Sequence, residues 1–263
     1  MKAVRLMVLA FASMIIPLTY AGGRDIPAQI HITIHPSSAA VFNRINVGGY
    51  VNVVIKRGRL GHKPAVTITT YRSEPVQARF VNHTIYLKTL ERSVPQLNKR
   101  PVVTVRINNL KRLTVTGAAN VTAANMHSHG LDIDASGSGI IRLLGVLNVD
   151  HIKQSGSNDI KMRWVKSNTI YINSNGAGSI RLAGTAKTLY ARIFGHATLH
   201  AAYLRTHYVQ VQTKNKATAY VCPTYTLRAF ATDFANIYYY KYPKNMTRDT
   251  AQSGNVLQMA WHN

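Results

Sequence analysis

Residues 137–176 read GSGIIRLLGVLNVDHIKQSGSNDIKMRWVKSNTIYINSNG, and the fold class can be inferred from their spacing. Glycine stands at both of its ends and at position 156, so it recurs after 19 and then 20 residues. The interval continues outside the stretch, and each step carries a residue that readily accepts a left-handed backbone. These turn positions are Gly117, Gly137, Gly156, Gly176, Gly195, Asn215 and Asp233. The spacing predicts a structural repeat with a left-handed turn in every unit.

Apolar residues recur at fixed distances from these turns. Four residues after each turn stand Val121, Ile141, Ile160, Ile180, Leu199, Ala219 and Ile237. A second apolar position follows two residues later, and a third lies four residues before the turn. Alternation of apolar and polar residues is typical of strands with one buried face. The pattern predicts an all-β fold, a parallel β-solenoid of about 19–20 residues per coil whose coils hydrogen-bond to their neighbours.

The chain divides into four segments. Residues 1–21 carry two early cations, an apolar run and a small residue at position 21, which is the pattern of a cleaved secretory signal peptide. Residues 22–108 alternate without a clean period, so we expect irregular β-strands that are continuous with the solenoid and cap its first coil. Residues 109–242 hold the repeats, and residues 243–263 form a tail or lid. We expect export through the inner membrane to the periplasm, cell surface or medium, with no transmembrane segment.

Charge is the second strong signal. The chain has 32 Lys and Arg against 9 Asp and Glu, a formal net charge of +23, and removal of Lys2 and Arg5 with the signal peptide leaves 23 − 2 = +21. Such an excess attracts polyanions, and it bears on partners rather than on the fold. The expected partner is an acidic polysaccharide, lipopolysaccharide or another polyanion.

Some of this charge falls in register with the repeat. Five residues after each turn the side chain points outward, and this position, called here the basic-aromatic column, reads Arg142, Lys161, Arg181, His200, Tyr220 and Tyr238. Coils stack about 4.8 Å apart, so adjacent cations repel by roughly 0.9 kcal/mol in water. We interpret the column as a ligand-binding stripe, with rings available to stack on bases or sugars. The alternative is that Lys and Arg are simply the exposed residues of a basic protein.

A second cluster of cations lies nearer the N-terminus, at Lys56, Arg57 and Arg59. It is the next candidate site if the column does not bind.

Metal and cofactor sites are not expected. His127 and His129 share one side of an extended segment and could chelate, but no acidic or thiol ligand accompanies them in the repeat register. Asp132 and Asp134 share an outward face and are the carboxylates that a sugar-cleaving enzyme could use. We favour their role as surface residues that offset nearby cations.

The stretch LDIDASGSGIIRLLG at residues 131–145, echoed at residues 170–184, resembles the bacterial GIN-domain family, whose members are named as putative auto-transporter adhesin head domains. Residues 42–57 and 110–117 are similar to that family's first strands and to the lead into its first coil. The resemblance implies an exported β-helical domain at the cell envelope, with adhesion suggested by name and no catalytic residues to carry over. This chain departs from the family pattern in its basicity and in replacing glycine at Asn215 and Asp233.

The function that these observations favour is that of an exported, non-catalytic binding protein which contacts anionic envelope or host polymers through a basic face. Two alternatives stay open. One is a polysaccharide-active β-helix enzyme that uses Asp132 and Asp134. The other is a structural envelope component that assembles end to end through its uncovered coils.

Overall fold

The computed structural model describes residues 29–34, 42–58, 65–71, 76–89 and 100–260. The predicted signal peptide and Arg59 lie outside the described residues. The strands are β1 (Gln29–Ile34), β2 (Arg44–Gly48), β3 (Asn52–Arg57), β4 (Ala65–Tyr71), β5 (Val76–Val81), β6 (Thr84–Thr89), β7 (Val102–Ile107), β8 (Arg112–Gly117), β9 (Asn120–Gly137), β10 (Ile140–Gly156), β11 (Asp159–Gly176), β12 (Ser179–Gly195), β13 (Thr198–Thr213), β14 (Thr218–Ala231), β15 (Asn236–Tyr240), β16 (Asn245–Thr250) and β17 (Asn255–Met259).

Strands β9 to β14 are successive coils that pair in parallel, and the predicted parallel β-solenoid is confirmed with about seven turns. The register is that of the sequence repeat, because Val121 pairs with Ile141, Ile141 with Ile160, and Ile160 with Ile180. Strands β9 to β12 contain internal positions of positive φ, such as Gly145 and Trp164, where the chain bends as it wraps around the core.

The interior is formed by the predicted apolar columns. All residues four positions after a turn have no exposed surface, and those two positions further on are at most 4% exposed. A cluster of polar side chains lies in the interior at β10 and β11, where Ser174 donates to Gln154 and Gln154 donates to the carbonyl of Asn158. The Asn158 side chain in turn accepts from the Gly139 amide at 3.0 Å and donates to the Ser155 carbonyl. This buried network is therefore hydrogen-bonded, as burial of polar groups requires.

The turn column has positive φ throughout. The values range from 62° at Asp233 to 139° at Gly176. Each turn also contacts the coil before it, since the Ser157 amide donates to the Gly137 carbonyl at 2.7 Å and the Ala177 amide donates to the Gly156 carbonyl at 2.8 Å. The turns therefore belong to the coil-to-coil ladder rather than to free loops.

The N-terminal strands cap the solenoid, but not in chain order. Strands β2 and β3 form a coil that lies between β6–β7 on one side and β8–β9 on the other. Strand β4 then pairs antiparallel with β7, and β5 pairs antiparallel with β6, so that the parallel ladder ends in antiparallel strands. The cap therefore covers the first coil's ladder and removes its open edge.

The C-terminal end is less covered. Within the described residues, β16 pairs only with β14 and β17 pairs only with β15. All six residues of β16 are exposed. In the part of the chain that the structure describes, no helix has the length and apolar character needed to cross a bilayer.

Candidate anion-binding groove

The basic-aromatic column is continuous in space. Arg142 pairs with Lys161, Lys161 with Arg181, and Arg181 with His200 across successive coils, and the column continues through Tyr220 to Tyr238. All of these side chains are partly or fully exposed. The geometry of the column is therefore that of the sequence repeat, and its binding role stays a prediction.

Two cations of the column have a carboxylate partner that the sequence interpretation overlooked. The Asp159 carboxylate accepts from Lys161 at 3.2 Å, and its other oxygen is in contact with the Arg181 guanidinium. The expected repulsion along the column is wrong for this pair, because Asp159 lies between the two charges. Because Asp159 and Lys161 are two residues apart on one strand, the sequence alone predicts that their side chains lie on the same face. Among the described residues, no carboxylate lies within ion-pair distance of Arg142.

The aromatic half of the column stacks on itself. The His200 and Tyr220 rings lie 5.1 Å apart between centroids with planes 3° apart, and Tyr238 follows at 5.0 Å and 19°. The facing surfaces of these rings are therefore in contact with each other and leave no room for a base or sugar between them. The expectation of ring stacking with a ligand does not hold within the column, which presents ring edges instead.

His200 is mostly uncharged at neutral pH because its pKa is lowered. Burial lowers its pKa below the usual 6.5, and the neighbouring Arg181 charge lowers it further, while Asp159 partly opposes both. We expect its NMR titration midpoint to lie below 6.5. Because the unfolded chain then binds the proton more tightly, His200 costs the protein stability as the pH falls below about 6.5. Arg181→Gln should move the midpoint upward, and a His200 that is protonated at pH 7 would contradict this description.

The structure brings Arg142 together with the second basic cluster. Lys56, Arg57 and Arg142 line one open groove of about 520 Å³. Its other walls are mostly small or apolar and come from β3, β9 and β10. The three cations are exposed, and the described residues place no carboxylate within ion-pair distance of them. Cations without partners at the rim of an apolar groove can exchange water for an anionic group at little cost.

One further cation was missed from the sequence. Arg106 pairs in register with Lys56 on the adjacent strand β7 and is exposed. Its position in the alternating run 102–107 indicates an outward side chain, but the non-sequential order of the N-terminal coils hides which residues it neighbours. Arg106 therefore adds a fourth exposed cation beside Lys56, Arg57 and Arg142.

The carboxylates of the enzyme alternative have other partners. Asp132 accepts from Arg112 at 2.8 Å and lies 3.0 Å from the His151 ring nitrogen. Burial acts to raise the pKa of Asp132, but the hydrogen bonds from Arg112 and His151 outweigh it, so the pKa lies below its ordinary value. A carboxyl that stays ionised is a poor proton donor for glycoside cleavage. Asp134 is exposed and pairs in register with Lys153.

The two histidines that could chelate, His127 and His129, are exposed. His127 and His129 lie on either side of the buried Ser128. Within the described ranges, no group of three or more His, Cys, Asp or Glu side chains is close enough to hold a metal ion.

Comparison with known families agrees with this architecture. The sequence matches, over residues 41–243, the family described as "Putative auto-transporter adhesin, head GIN domain". The chain therefore belongs to that family, and the resemblance found in the sequence is confirmed. Among curated proteins, none matches the sequence.

Several solved structures share the fold. A protein named as a putative adhesin from Bacteroides fragilis NCTC 9343 is 17% identical with a TM-score of 0.68, covering 88% of this chain and 97% of its own. Another so named, from Parabacteroides distasonis ATCC 8503, is 18% identical with a TM-score of 0.75 and coverages of 89% and 98%. A third, named as a putative lipid binding protein from the same strain, is 14% identical with a TM-score of 0.75 and coverages of 88% and 97%. At these identities the likeness concerns the fold alone.

Proposed function

We propose that this protein is a non-catalytic binding protein that acts outside the cytoplasm and contacts anionic polymers through the groove lined by Lys56, Arg57 and Arg142, called here the basic groove. The observation that carries the proposal is that Arg142, 142 − 57 = 85 residues after Arg57 in the sequence, lines the same open groove as Lys56 and Arg57. Their lack of carboxylate partners among the described residues distinguishes them from Lys161 and Arg181. Arg106 extends the positive surface along β7.

The chemistry of the groove favours an anion attached to a larger, partly apolar group. Ala123, Ala124 and Leu144 form part of its lining, and Leu144 is 37% exposed. A phosphorylated or carboxylated envelope polymer would place its charges at the rim and its less polar parts against these side chains. Lipopolysaccharide fits this description, and the name of one structural neighbour makes anionic lipid a useful additional probe.

Binding to heparin and to lipopolysaccharide across a salt series tests the proposal. If the three cations each neutralise one anionic group, the logarithm of the association constant should fall with the logarithm of salt concentration at a slope of about −2 to −3. Uncharged dextran of similar length is the control and should not bind. The absence of binding at low ionic strength, or binding that ignores added salt, would refute the proposal.

The enzyme alternative has less support. The candidate acid Asp132 is held in its ionised form by Arg112 and His151. Product release from acidic polysaccharides that disappears in Asp132→Asn would nevertheless establish it.

End-to-end assembly draws on a specific observation, the open edge at β16 and β17. However, β16 carries Arg248 and Asp249 on its exposed surface, and charged side chains on an edge strand oppose pairing with another chain. Solution mass measured by light scattering over a range of protein concentrations separates a monomer from such an assembly.

A further inference from the structure

A second groove lies on another face of the solenoid. Its lining comes from the strand segments just before the turns in five successive coils, from β11 to β16. Its volume is about 620 Å³. Five coils at a spacing of about 4.8 Å span roughly 19 Å along the axis, which is enough for an oligomer rather than a single small molecule. This groove shares no lining residue with the basic groove.

One wall of the groove is a rigid aromatic stack. Tyr171 and Tyr190 lie 5.1 Å apart between ring centroids with planes 10° apart, and His151 stacks on the other side of Tyr171 at 5.2 Å. Because the rings hold each other in place, a ligand that contacts their edges and hydroxyl groups orders few side-chain torsions. Phe230, which is partly buried, adds a further apolar surface from β14.

The polar lining offers both donors and acceptors. Gln210 uses its carbonyl oxygen to accept from the Tyr208 hydroxyl at 3.3 Å, which leaves its amide NH₂ for a ligand. Gln212 has no hydrogen-bond partner within the described residues. Arg192 and Asp249 line the same groove but form no ion pair with each other. Sugar hydroxyls both donate and accept, and this mixed set of amide, guanidinium and carboxylate groups matches them.

The charge of the groove separates it from the rest of the protein. Its lining contains one cation, Arg192, and one carboxylate, Asp249, in a chain with a formal net charge of +23. A polyanion therefore gains little binding energy from this lining and is attracted mainly by the long-range field of the whole protein. An uncharged ligand, in contrast, finds both hydrogen-bond donors and acceptors.

We propose that this groove, called here the glycan groove, binds a neutral oligosaccharide that lies along the solenoid axis. Tyr171, Tyr190 and Phe230 contact its apolar edges, and Arg192, Gln212 and Asp249 hydrogen-bond its hydroxyl groups. This site is independent of the basic groove, so the protein binds two chemically different polymers on two faces.

The test uses a panel of neutral hexasaccharides, namely cello-, chito-, manno- and xylohexaose, titrated against the protein by calorimetry. At least one should bind, and its affinity should be almost unchanged by added salt. The double variant Gln212→Ala/Asp249→Asn should weaken that binding at least tenfold. Asn173→Ala is the matched control, since Asn173 lies in the same outward column as Arg192, one coil away, but does not line the groove.

Three results would overturn the inference. These are no binding by any of the four hexasaccharides at millimolar concentration, equal affinity in the double variant and the wild type, or capture only of extended peptides in a parallel screen. A variant of the basic groove should bind the hexasaccharide normally, so failure of the polyanion proposal and failure of this one remain distinguishable.

Discussion

Replacing Gly156 by valine should lower the free energy of unfolding by about 3 kcal/mol or more. Gly156 has φ +83°, a conformation that a β-branched residue adopts only under strain. A Cβ there would also overlap the backbone carbonyl oxygen of Gly137 in the preceding coil. That carbonyl cannot move away freely, because it accepts the hydrogen bond from the Ser157 amide. Urea unfolding monitored by circular dichroism measures the loss.

The control for this experiment lies in the same turn column. Asn215 has φ +68°, and Asn215→Gly relieves the strain of a non-glycine residue there without adding any atom. We expect its unfolding free energy to stay within about 1 kcal/mol of the wild type. If Gly156→Val unfolded at the wild-type urea concentration, the assigned register of the coils would be wrong.

The repeat was readable from the sequence because each coil must present the same chemistry at the same position. The turn at Gly137 and the buried column at Ile141, Ile160 and Ile180 recur with the same period. The pattern is therefore repeated several times within one sequence. The basic-aromatic column followed from the same register. In a stacked fold, residues about 19 positions apart become neighbours, and that relation is visible without a structure.

What the period does not encode was harder to predict. The coil formed by β2 and β3 lies between coils that follow it in the chain. Arg57 and Arg142 therefore line one groove because of a coil order that the repeat spacing in the sequence does not indicate. Asp159 pairs with Arg181 of the next coil through side-chain reach, which a column-by-column comparison ignores. The glycan groove depends on the relative sizes of side chains in neighbouring coils. The shape of this groove is a property of the packed surface and leaves no repeating pattern in the sequence.

The difference between free and paired cations leads to the sharpest prediction about function. Lys56→Gln/Arg142→Gln and Lys161→Gln/Arg181→Gln each remove two positive charges, so both change the net charge equally. The first pair faces the basic groove without a carboxylate partner among the described residues, whereas the second is already neutralised in part by Asp159.

We expect the groove variant to bind heparin on the order of tenfold to a hundredfold more weakly at about 0.1 M salt, with a salt slope shallower by up to about two. The variant of the paired cations should lose only a few-fold, because only the long-range field changes. Both should fold, since exposed cations contribute little to stability and no buried contact is removed. Circular dichroism and thermal unfolding check that condition.

Equal losses in the two variants would mean that heparin responds to net charge alone, and the basic groove would then have no special role. A larger loss in the variant of the paired cations would place the site at Lys161 and Arg181, with the ligand displacing Asp159 from them. A loss of heparin affinity confined to Lys56→Gln/Arg142→Gln would mean that binding depends on the local arrangement of these cations. That arrangement exists only when the N-terminal coil is inserted beside β9, so binding would depend on the topology of the cap as well as on the charge of the chain.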